Sequence, residues 1–161
     1  MRDFAVAHAY VPVGARLWTF GSSRYADPDG WTALAGATLT SGACYLDVTP
    51  RTGEVVLVSP AQLSLTRGET DLLILGADTA TVETVAVEAR TPAGAWIPLA
   101  PRRASSQLTT TTAGLSVPLA WPTALVVADQ VRVSLRFRDA ANPVRIRLIA
   151  LLPPATAQAE R

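Results

Sequence analysis

The chain has 161 residues, enough for one domain with a full core, and 49% of them are hydrophobic, which excludes a disordered chain. A net charge of +1 gives no general pull toward nucleic acid or a membrane surface. The single cysteine, Cys44, excludes an internal disulfide framework, and with only one histidine a zinc site is excluded too.

The N-terminal stretch MRDFAVAHAYVPVG has no long apolar run and carries Asp3 and His8, so it does not read as a signal peptide. Synthesis and folding in the cytoplasm, followed by incorporation into a larger particle, is the expectation. Twelve prolines and ten glycines leave few windows for an amphipathic helix. The best helical candidate, DGWTALAGA, amounts to about two turns. Strand-like segments recur instead about every 8–12 residues, with turn residues between them. In chain order they are Val6–Val13, Ala15–Phe20, Thr38–Val48, Glu54–Ser59, Leu63–Leu65, Asp71–Leu75 and Thr81–Arg90. Ala95–Leu99, Gln107–Thr112, Leu115–Leu119, Ala124–Val127, Val131–Asp139 and Val144–Leu152 follow. This spacing predicts an all-β fold, a single antiparallel β-sandwich of jelly-roll type. One domain is expected over residues 1–153, with an N-terminal arm of about residues 1–20 and a flexible tail at 154–161.

Chemistry is sparse along this frame. Trp18, Tyr25 and Trp31 bracket GSSRYADPDGW, where aromatic rings could stack on sugars, plug the end of the core or fill a subunit interface. Asp27 and Asp29 have the spacing that opens a calcium loop, but the later oxygen ligands and the closing glutamate are missing, and a Pro-Asp-Gly turn explains them. Cys44 alternates with Leu46 and Val48 as a buried small hydrophobe would, with no activating base beside it. His8 has no nucleophile elbow near it. Phosphate-loop and dinucleotide fingerprints are absent. No catalytic residue, cofactor or metal is indicated, and the protein is not expected to be an enzyme. Trp121, between Pro118 and Pro122, implies an edge or a bend.

Thr84–Ala100 reads as a hairpin in which Val85, Val87 and Ala89 alternate with Ala86, Glu88 and Arg90, TPAG turns, and Trp96 heads the return strand. Near the C-terminus, Val131, Val133, Leu135 and Phe137 alternate with Arg132, Ser134, Arg136 and Arg138. Val144, Ile146 and Leu148 alternate with Arg145 and Arg147, and the short DAAN connection predicts a second hairpin that places Arg136 near Arg145. Facing like charges destabilise a sheet, so Glu83, Glu88 or Asp139 should compensate. The arginines form either a solvated face or a partner surface. All 14 basic residues are arginine, whose planar fork suits interfaces, although coding bias in a GC-rich genome explains the same fact. With balanced charge and no aromatic alternating among them, they do not read as a nucleic-acid track.

The alternating strand, the glycine-containing turn, the W-x-P-L of Trp96–Leu99 and the two arginine-studded strands resemble the jelly-roll sandwich of galactose-binding-like domains over Leu63–Leu152. Such folds serve as carbohydrate-binding modules and as decoration, spike or fibre-base subunits of tailed-phage and gene-transfer-agent particles. Mean hydropathy of +0.25, the apolar N-terminal arm and the sheet edges that need cover favour assembly. The expected function is therefore a non-enzymatic structural subunit on a virion or phage-like particle surface. It would pack with other protein subunits and with copies of itself, and would bind neither nucleic acid nor membrane. The alternative is a β-sandwich carbohydrate-binding module with a glycan as partner. Candidate binding residues are Arg132, Arg136, Arg138, Arg145, Arg147, Trp18, Tyr25 and Trp31.

Overall fold

Alternation of apolar and polar residues does produce strands across the described residues. A computed structural model describes residues 16–20, 30–35, 37–42, 45–51, 53–76, 81–111, 114–138 and 144–152. The expected Val6–Val13 strand, His8, Tyr25, Asp27, Asp29 and Cys44 lie outside the described residues. The early strands are β1 Arg16–Trp18, β2 Thr32–Ala35, β3 Ala37–Gly42, β4 Tyr45–Pro50, β5 Glu54–Val58 and β6 Asp71–Leu75. They are followed by β7 Val82–Arg90, β8 Trp96–Ala104, β9 Thr109–Thr111 and β10 Gly114–Pro118. The last three are β11 Gln130–Phe137, β12 Val144–Ile146 and β13 Leu148–Leu152. Among the described residues, the one helical element is a 3-10 turn at Ser105–Gln107.

The strands form three antiparallel sheets. The first runs β1-β13-β6-β10-β9, the second β2-β5-β11-β7-β8 and the third β12-β4-β3. Their inward side chains meet in one core: Leu72, Ile74 and Leu151 from the first, Leu57, Val87 and Leu135 from the second, Leu46 and Ile146 from the third. This is the antiparallel β-sandwich that the strand spacing predicts.

Several local expectations need correction. DGWTALAGA is not helical: its second half is β2 and the start of β3, because Thr32 and Ala33 pair with β5 and the apolar Ala33 faces the core. Thr38–Val48 is not one strand but two paired ones, β3 and β4. Leu63–Leu65 and Ala124–Val127 make no ladder; a lone bridge joins Leu65 to Ala128.

The largest correction concerns the C-terminal strands. Val131, Val133, Leu135 and Phe137 are buried as their alternation predicts, but β11 does not pair with β12. It lies between β5 and β7, while β12 pairs with β4 and β13 lies between β1 and β6. The chain crosses to the other layer after β11, because that is where the apolar faces of β12 and β13 find partners. Val144–Leu152 is also interrupted at Arg147, whose backbone N–H donates to the Leu75 carbonyl at 2.9 Å. The break shifts the phase: Val144 and Ile146 face the core before it, Ile149 and Leu151 after it.

The edge strand β8 carries Pro98 and Pro101, which cannot donate to a further ladder and so blunt that edge. The TPAG turn before it is closed by Thr91 N–H to Ala95 O at 2.7 Å, with Gly94 at φ 98° where a side chain would be strained.

Candidate functional site: a trough across the second sheet

The outward positions of the second sheet follow directly from its register. Ser134 on β11 stands opposite Val56 on β5 and Ala86 on β7. These three small residues make a low floor across the middle of the sheet. Ser134 is only 9% exposed although it faces outward, hemmed by Arg132 and Arg136 two residues to either side.

One wall stands on the row of Arg132 and Glu88. Arg132 Nε donates to Glu88 Oε1 at 2.8 Å, and the guanidinium lies 4.3 Å over the ring of Trp96 on β8. Arg132 therefore lies flat across β7. Behind it Arg90 pairs with Asp129 at 3.2 Å, and Gln130 Nε2 donates to Ser59 O at 2.9 Å. Asp129 Oδ1 is buried without a hydrogen-bond partner.

The opposite wall stands on the row of Arg136, Glu54 and Thr84. Arg102, from the edge strand β8, donates to Thr84 Oγ1 at 2.8 Å and forms a close ion pair with Glu54 on β5. Arg136 approaches the same carboxylate at 3.8 Å. Four residues along β11 separate the two walls, about 13 Å at strand rise. The result is a trough floored by small side chains and walled by guanidinium, carboxylate and indole groups.

The remaining candidates fall elsewhere. Arg138 is exposed just past the end of β11, and Arg147 is exposed at the break between β12 and β13. Arg145 lies on the third sheet, where Asp47 takes its fork at 2.9 and 3.1 Å and Tyr45 lies 3.7 Å beneath its Cζ. The hydrogen bonds to Asp47 raise the Arg145 pKa above its ordinary value, outweighing the opposing effect of desolvation. That stabilisation is present wherever the guanidinium is charged and is lost only at pH above the arginine range. Trp31 is fully buried in the core, edge-on to the half-buried Trp18 at 5.3 Å between centroids. It plugs the sandwich and presents no ring to the outside.

The five arginines thus form no continuous row, and Arg136 and Arg145 do not face each other. Arg136 shares the Glu54 carboxylate with Arg102, and Arg145 pairs with Asp47. Of the acids expected to compensate, Glu88 does so, on Arg132. Trp96, Glu54 and Arg102 were not among the candidates read from the sequence. A signal existed for Trp96: the TPAG hairpin pairs it with Arg90, placing it on the same outward face as Glu88. Among the described residues, no group of three or more His, Cys, Asp or Glu side chains is placed to hold a metal.

No protein-family model matches the chain, and no curated protein is similar to it in sequence. In fold it is similar to carbohydrate-binding modules. A module of the β-sandwich superfamily, described for its promiscuous specificity, aligns at 11% identity over 89% of this chain and 62% of that one, with a TM-score of 0.54. A low-affinity xylan-binding module of family 86 from Roseburia intestinalis aligns at 12% identity over 89% of this chain and 98% of that one, with a TM-score of 0.53. These likenesses bear out the β-sandwich fold. They also correct the first functional expectation: these two solved structures are carbohydrate-binding modules, not virion subunits.

Proposed function

We propose that the protein is a non-catalytic glycan-binding module whose ligand, a single glycan chain, lies in the trough on the outer face of the second sheet. The observation that carries this reading is the floor of Val56, Ser134 and Ala86 between two polar walls. A sugar ring offers apolar C–H faces that suit a small-residue floor. Its hydroxyls both donate and accept, which suits walls built of carboxylates and guanidiniums. The likeness in fold to a module named for xylan binding supports the same ligand class.

Both acids that line the trough are engaged in ion pairs, which leaves neither free to act as a general acid or base. Glu54 is ion-paired to Arg102 and Glu88 to Arg132. Their backbones stand two strands and four residues apart, about 16 Å from strand geometry.

Isothermal titration with xylohexaose, mannohexaose and cellohexaose tests the reading, alongside an Ala86→Trp variant that fills the floor. The expected result is saturable binding to at least one of them, abolished by Ala86→Trp without a change in thermal unfolding. Binding that survives the filled floor, or none to any neutral glycan, rejects the proposal.

A further inference from the structure

Arg132 is held more firmly than an exposed arginine needs to be. Its Nε is fixed by Glu88 at 2.8 Å and its plane by the Trp96 ring at 4.3 Å, and its side chain is 23% exposed. Yet its terminal Nη1 and Nη2 have no partner among the described residues. Arg145 shows the contrast: there one carboxylate takes both Nε and Nη2. A guanidinium locked in plane and rotation with its outer fork unspent presents two parallel N–H donors at fixed spacing. The two Nη atoms are not among the buried polar atoms that lack a partner, so water meets them in the free protein, and a ligand that supplies two adjacent oxygens can take its place.

The charge balance selects between kinds of oxygen. Glu88 already neutralises Arg132, so a ligand carboxylate at the fork would stand close to the Glu88 carboxylate and be repelled by it. Adjacent hydroxyls accept the same two hydrogen bonds without that repulsion, and their own protons can turn toward Glu88. Trp96 carries the guanidinium on its face, so its part here is to back Arg132.

From this, and resting on the glycan-binding reading above, we infer that Arg132 is the specificity-determining residue of the trough. It grips a vicinal pair of hydroxyls on a neutral sugar through its Nη1–Nη2 fork and discriminates against uronic acids.

The test is a mutant cycle between protein and ligand. Arg132→Lys keeps the charge and removes the fork; a partly O-methylated form of the bound hexasaccharide keeps the ring and blocks the hydroxyl pair. Titration calorimetry should show each change alone weakening binding about ten- to a hundredfold, and the two together no more than either alone. Arg138→Lys, outside the trough, should leave affinity unchanged, and tetragalacturonate should bind more weakly than the neutral chains. If the wild type binds a neutral hexasaccharide but Arg132→Lys binds it equally well, or the two losses multiply, the inference about Arg132 falls while the glycan reading stands. Preference for tetragalacturonate overturns the neutral-sugar assignment. If the wild type binds none of these glycans, the functional reading itself falls. If Arg132→Lys destabilises the fold, the wild-type Arg132 guanidinium resonances decide instead: they should shift with the neutral hexasaccharide and not with its O-methylated form, and no shift with either overturns the inference.

Discussion

Arg102 on the edge strand β8 bonds to Glu54 on β5, reaching over the two strands between them. Four adjacent strands span about 14 Å at ordinary spacing, so both side chains must lie extended across the sheet. Thr84 supports the arginine on the way, at 2.8 Å. At the other end of the same face Arg132 crosses β7 in the opposite direction to reach Trp96. Two arginines laid across the strands bound the small-residue floor between them, where Ser134 is 9% exposed.

Both partners of the Arg102–Glu54 bridge are more than a third exposed, so its role is to shape the trough and not to hold the sandwich together. Glu54→Gln should cost no more than about 1 kcal/mol in urea unfolding. A loss above about 2 kcal/mol would mean that the bridge is structural.

Gly76 sits at φ 100°, and a Cβ there would meet the Arg145 carbonyl oxygen at 2.1 Å and the Ile146 Cα at 3.1 Å. Both are backbone atoms that cannot swing aside. Gly76→Ala should therefore destabilise the protein by about 2–5 kcal/mol, combining left-handed strain with overpacking where β6 ends against β12. Thermal unfolding close to that of the wild type would show that the approach of the two segments is looser than described.

Leu135 is fully buried at the centre of the core, whereas Leu34 on β2 is 63% exposed. Leu135→Ala should lose about 2–5 kcal/mol and Leu34→Ser should change stability by less than about 0.5 kcal/mol in equilibrium denaturation. Similar losses at both positions would contradict the assignment of inner and outer faces.

Facing could be read from alternation, and the β7–β8 hairpin from its TPAG turn; the pairing of β11 and β12 could not. The inward set of β11 was legible because Val131, Val133, Leu135 and Phe137 alternate without interruption. The partners of β11 were not, because a short connection normally closes a hairpin while here the chain changes layer. The phase shift at Arg147 was hidden by LIALL, in which every residue is apolar and no alternation marks the inward side. Of the site, Arg132 and its compensating acid Glu88 were within reach, since both lie on cleanly alternating strands. The opposite wall was not: Arg102 and Glu54 are 48 residues apart, and only the sheet order brings them together.

The central claim is that the outer face of the second sheet is the ligand face. Titrating a neutral hexasaccharide into isotopically labelled protein and following amide and indole resonances tests it most directly. The account predicts that shifts concentrate at Val56, Ala86, Arg132 and Ser134 and at the indole N–H of Trp96. Shifts that cluster instead around Tyr45 and Arg145 on the third sheet, or around Trp18, would contradict it.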